Sequence, residues 1–123
     1  MQNLQQLESE APIVQQTLDL YKELYGSTKK FPKKDQYLLG RRCEDTLLAF
    51  LEYTLLASNV PREQKARLLH AAAGKFDVLK VLLRLAQELK MLDKKQYILL
   101  EMRVREIGKM LGGWIRSLST QIR

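Results

Sequence analysis

From Lys94 to Arg123 the chain repeats apolar residues at helical spacing, and it repeats basic residues on the opposite side. Leu100, Val104, Ile107, Leu111, Trp114, Leu118 and Ile122 make the apolar stripe. Arg105, Lys109, Arg116 and Arg123 make the basic one, with Gly112 between them. An α-helix turns about 100° per residue, so steps of four and seven residues nearly realign. The first stripe has to dock onto something, whereas the second stays wet or meets something negative. The segment therefore reads as a packed helix with a cationic back.

The rest of the chain reads the same way. β-branched alternation is absent, and glycine and proline punctuate sparsely. A first helix is expected from about Ala11 to Tyr25, with Ser9 as N-cap, Pro12 in the first turn and Gly26 as the stop. A loop from Ser27 to Lys34 leads into a second helix over Lys34–Ala57. Ser58-Asn59-Val60-Pro61 breaks it, and Pro61 opens a third helix that lasts to about Lys90. Asp93 caps the fourth. With 123 residues the chain suits one domain, with residues 1–10 as a flexible N-terminus. Short connections between long helices favour antiparallel neighbours, which predicts an all-α, up-down-up-down four-helix bundle.

The third helix carries more apolar surface than one core requires. Leu68, Leu69, Ala71, Phe76, Val78, Leu79, Leu82, Leu83, Leu85, Ala86 and Leu89 spread over roughly 200° of the helical wheel, against roughly 100° for a helix facing one core. The excess is either covered by adjacent helices or forms an interface to another subunit, and oligomerisation is the favoured expectation. Lys75 is the discordant residue in that arc; it either snorkels to water or lines a central opening.

Composition and site chemistry exclude most enzymes. His70 is the only histidine and Cys43 the only cysteine. Structural zinc takes four ligands, and a di-iron bundle needs Glu-x-x-His pairs that are missing here. Cys43 falls on an apolar helix face and reads as a buried thiol suited to a reducing compartment. No glycine-rich phosphate loop follows a strand, and no apolar run reaches the roughly 18 residues of a membrane span. The expectation is a cytoplasmic, non-catalytic protein without cofactor, metal or membrane partner.

The net charge is +7, and it is unevenly placed. Met1–Gly26 sets Glu8, Glu10, Asp19 and Glu23 against Lys22, so the remainder is more basic than the whole. Such an excess favours a polyanionic partner. Arg41–Asp45 and Arg84–Glu88 have the spacing of surface ion pairs. Three basic clusters are singled out: Lys29, Lys30, Lys33 and Lys34 around Phe31; Lys80 and Arg84 on the third helix; and Arg105, Lys109, Arg116 and Arg123 on the fourth. Contact with phosphates needs several cations in reach and little geometric exactness. Aromatic platforms for single strands are few, with Phe31 and Tyr37 as candidates and Trp114 on the core face. Docking of an acidic or mixed-charge protein is the alternative use of the same stripes.

The segment Arg105-Glu-Ile-Gly-Lys-Met-Leu-Gly-Gly-Trp-Ile-Arg116 resembles the C-terminal helix of the Avd proteins, the accessory variability determinants of diversity-generating retroelements. The likeness extends over Ala73–Ala86, Leu92–Tyr97, Phe31-Pro32 and Tyr37–Gly40, and so covers roughly Ile13 to Leu118. Its most specific piece is the Gly-x-x-Leu-Gly-x-Trp-Ile pattern from Gly108 to Ile115. The resemblance implies a four-helix bundle assembling into a ring-like homopentamer. It also implies binding to the element's reverse transcriptase and, through a basic surface, to RNA or DNA, in support of mutagenic cDNA synthesis. Lys80 and Arg84 align with family arginines; a lysine at position 80 lacks the bidentate fork. Gly108, Gly112 and Trp114 would serve packing, the glycines by close helix approach and the tryptophan by filling the bundle. Bundle proteins encoded in ribosomal RNA intervening sequences are related, and they supply the alternative of a self-assembling or protein-interaction module.

Overall fold

A computed structural model of the protein describes residues 11–121, all of whose regular structure is helical. Four long helices, α1 (Ala11–Thr28), α2 (Arg41–Ser58), α3 (Arg62–Glu88) and α4 (Lys94–Gln121), pack as a closed cycle. α1 packs on α2, α2 on α3, α3 on α4 and α4 back on α1. Ser9, Ile122, Arg123 and the segment 1–10 lie outside the described residues.

Each helix buries one stripe at the expected period. Leu20 and Leu24 of α1, Leu47 and Phe50 of α2, Leu69, Phe76, Leu79 and Leu83 of α3, and Leu100, Val104 and Ile107 of α4 are all buried. The rings of Phe50 and Phe76 meet at 4.6 Å between centroids, a tilted aromatic pair between α2 and α3. Such a pair contributes about 0.5–1.5 kcal/mol beyond the burial of its area. Two buried hydroxyls are satisfied within their own helices: Thr17 donates to the Ile13 carbonyl at 2.7 Å and Thr54 to that of Leu51 at 2.8 Å.

The helix ends depart from expectation in instructive ways. Gly26 does not stop α1. Its φ is not positive, and the helix runs on to Thr28 because the Ser27 and Thr28 hydroxyls fold back onto the Glu23 and Tyr25 carbonyls. The second helix starts a residue early as a helical turn, Lys33–Asp35, passes through a π-helical stretch, Gln36–Gly40, and continues into α2. Gly40 explains the tight geometry: a Cβ there would lie 3.3 Å from the Asp35 carbonyl and 3.4 Å from the Phe31 ring. Pro61 opens α3 as expected, from its N-cap position.

α3 ends at Glu88, two residues before the expected Lys90. Lys90 takes a left-handed φ of 65°, Met91 N–H reaches the Ala86 carbonyl at 2.8 Å and Lys90 N–H that of Gln87 at 3.0 Å. That is a Schellman stop with lysine where glycine usually stands. Asp93 does cap α4, its Oδ1 accepting the Gln96 N–H at 2.7 Å.

Candidate polyanion-binding surface

The basic residues belong to separate places on the bundle. On α4, the stretch that carries Arg105 and Lys109 lines an open groove of about 410 Å³ together with Gln16 of α1 and Met102, Arg103 and Glu106. Arg103, which the sequence reading did not single out, crosses to α1 and pairs with Glu23 at 3.4 Å. Only its position on the flank of the apolar stripe marked it as a bridging residue. The groove is thus of mixed charge, with Glu106 among its cations.

Arg116 lies further along the same face and turns back over the glycines. A Cβ on Gly112 would meet its Nη1 at 3.3 Å, and one on Gly113 its Nη2 at 3.9 Å. Gly112 therefore makes room for a guanidinium and not for a neighbouring helix, contrary to the packing role expected of it. Gly108 does face α3, but a Cβ there would be in ordinary contact with Phe76, at 3.9 Å. Trp114 is half-buried and packs against the edge of the core instead of filling its centre.

On α3, Lys80 is about half exposed, pairs with Asp77 at 3.5 Å and holds its ammonium 5.6 Å from the Phe76 ring centre. Arg84 is exposed and makes no ion pair with Glu88 among the described residues, so the expected pair is not formed. Both charges act instead on Tyr97 of α4. Desolvation and Glu101 raise the Tyr97 pKa, Arg84 opposes them, and Glu88 adds to the rise. Arg84 and Glu88 are thus both within electrostatic reach of Tyr97. Arg41–Asp45 forms as expected, at 3.8 Å and largely exposed, so it adds little stability.

The loop cations sit where α1 hands over to α2. Lys29, Lys30, Lys33 and Lys34 are exposed, but Phe31, expected as a platform, is buried against Gly40. Lys29 holds its ammonium over Tyr25, 5.2 Å from the ring centre. Beneath it, the half-buried Glu44 carboxylate accepts hydrogen bonds from the Tyr21 hydroxyl, at 3.1 Å, and from Thr28. Burial, then the Glu44 charge, pushes the Tyr21 phenol above its ordinary pKa. The structure does not bring these lysines to the α4 groove: they belong to a different element junction.

His70 is exposed, and Cys43 is fully buried, with desolvation raising its thiol to about 12. Among the described residues no group of histidine, cysteine and carboxylate side chains is placed to hold a metal ion, and no helix is long and apolar enough to cross a membrane. What the surface offers is cations in reach of phosphates or carboxylates.

Comparison with curated proteins finds no match for this chain. Comparison with protein families does: residues 12–118 match the family described as bAvd-like, and with nearly its whole length inside that match the chain belongs to the bAvd-like family.

Proposed function

We propose that this protein is the non-catalytic, cytoplasmic accessory factor of a diversity-generating retroelement. In this role it assembles as a ring-like homopentamer of up-down-up-down bundles and joins the reverse transcriptase to RNA or DNA. Family membership supports the accessory role. The antiparallel order is supported by Arg62 at the start of α3, whose guanidinium donates to the Ser117 and Leu118 carbonyls near the end of α4.

The observation that carries the assembly is that α3 is apolar on two opposed faces. Phe76, Leu79, Leu83 and Ala86 are buried in the core, while Val78, Val81, Leu85 and Leu89 are exposed in a line on the other side. An exposed apolar stripe of this kind marks a contact surface. Lys80 and Arg84 run along its flank, Arg105, Lys109 and Arg116 along α4, and Lys29, Lys30, Lys33 and Lys34 around the α1–α2 connection. These separate patches supply contacts to phosphates that need no sequence readout.

Size-exclusion chromatography with light scattering, alone and with a short structured RNA, tests the reading. The expected result is a species of about five chains that shifts with RNA at low salt and releases it at high salt, since phosphate-driven affinity falls steeply with ionic strength. Lys80→Ala with Arg84→Ala is expected to weaken RNA or polymerase binding without unfolding the bundle. A multimer that ignores RNA at every salt concentration would favour the alternative, a self-assembling protein-interaction module whose cations serve solubility and ion pairs such as Arg103–Glu23.

A further inference from the structure

We infer that the pocket between the end of α1 and the π-helical stretch Gln36–Gly40 takes one unpaired nucleobase of a single-stranded nucleic acid. The inference rests on the nucleic-acid-binding reading above and gives it a second, non-phosphate component. The pocket is open to solvent, has a volume of about 350 Å³ and is lined by Tyr25, Lys29, Gln36, Tyr37 and Arg41 and by the carboxylates Glu44 and Asp45. It combines the three things a base requires: a flat apolar face, fixed polar groups at the edge, and cations nearby for the flanking phosphates.

Tyr37 supplies the face. Its side chain is 65% exposed, and it has no ring partner among the described residues. Tyr25 cannot serve in the same way, because Tyr21 stacks on it at 6.4 Å between centroids and Lys29 holds its ammonium over the ring. Its role is to keep Lys29 at the wall.

Gln36 supplies a fixed edge. Its Nε2 donates to the Lys29 and Phe31 carbonyls, both at 2.9 Å, which orients the amide and leaves Oε1 as an acceptor. Glu44 is likewise held, by Tyr21 and Thr28. Tyr37, Arg41 and Asp45 also line a neighbouring groove that Arg42 borders. A strand stacked on Tyr37 therefore has Lys29 and Arg41 in the pocket wall, the latter paired with Asp45, and Arg42 in the adjoining groove.

The π-helical stretch is what creates the arrangement. A π turn widens the helix by one residue and re-aims the side chains within it. It is stabilised here by Phe31 tucked against Gly40. The sequence hides this, because Phe31 and Tyr37 look equally available until one is buried.

The test is fluorescence anisotropy of the intact protein with two labelled probes: an unstructured RNA of about 10 nucleotides, and a blunt duplex with the same number of phosphates. Tyr37→Leu is expected to weaken the single strand about tenfold or more, the size of one lost base–aromatic stack, and to leave the duplex unchanged. Tyr37→Phe is expected to retain the parent affinity, and Lys30→Ala with Lys33→Ala to weaken both probes together. Parent-like affinity of Tyr37→Leu for the single strand, or equal loss on both probes, would overturn the base pocket and leave charge-driven binding standing. No binding of either probe by the parent protein would overturn the nucleic-acid reading itself and the pocket with it.

Discussion

Gly26 and Gly40 stand on either side of the same connection, yet they tolerate opposite things. Gly26 has nothing within 4 Å of the position its Cβ would take, and it lies inside α1. Gly26→Ala is expected to raise stability by about 0.5–1 kcal/mol, because alanine removes freedom from the unfolded chain and meets no obstacle. At Gly40 the same methyl gains a similar helix preference but presses on the Asp35 carbonyl, a backbone atom that cannot swing away. Overpacking costs about 1–3 kcal/mol, so Gly40→Ala is expected to be net destabilising. Urea denaturation of the two variants checks the pair of signs. At this scale the sequence is a poor guide. The two glycines look alike in a string of letters; what separates them is whether a backbone carbonyl, here that of Asp35, is brought against the Cα by the π-helical stretch.

The four long helices were legible because their stripes recur with a period that only an α-helix satisfies. Leu100, Val104, Ile107 and Leu111 are buried as that period requires. The ends were less legible, because they depend on single hydrogen bonds. Asp93 was readable as a cap, since its carboxylate acts within one turn. The Schellman stop at Lys90 was not, since lysine carries no mark of a left-handed residue. The candidate site divides in the same way. The cations of α4 could be placed on one face from spacing alone, whereas Arg103 bridging to Glu23 and Arg116 folding over Gly112 depend on what lies opposite. α3 is the element on which the assembly turns. Val81→Glu with Leu85→Glu places two like charges on its outer stripe while leaving the buried one intact. The expected outcome by light scattering is a monomer. Its circular dichroism is expected to stay helical because the buried stripe is intact, with the urea midpoint lowered by what assembly contributes. A multimer that survives both charges would remove α3's outer face from the interface.

For the molecule as a whole, alkaline pH is the condition that exposes the tightness of the core. Cys43 is buried among apolar neighbours beside Glu44, and its folded-state pKa of about 12 stands well above the roughly 8.5 of a free thiol. The unfolded chain therefore gives up this proton first. As pH rises through the free-thiol value, the unfolded state is favoured, and stability falls until the folded-state pKa is passed. The slope from one such group approaches about 1.4 kcal/mol per pH unit. Tyr21 and Tyr97 are raised as well and add to the loss at higher pH. Cys43→Ala is expected to flatten the early part of the fall and keep the tyrosine part, which urea midpoints measured from neutral pH upward will separate. A parent and variant with parallel pH profiles would mean that the thiol ionises without unfolding. The sealed thiol also has a practical consequence. Because the chain's one native sulfhydryl is out of reach of maleimides at neutral pH, a cysteine placed at any exposed position becomes a unique handle. Dyes or spin labels can then report where a partner sits without first stripping the protein of its own cysteine.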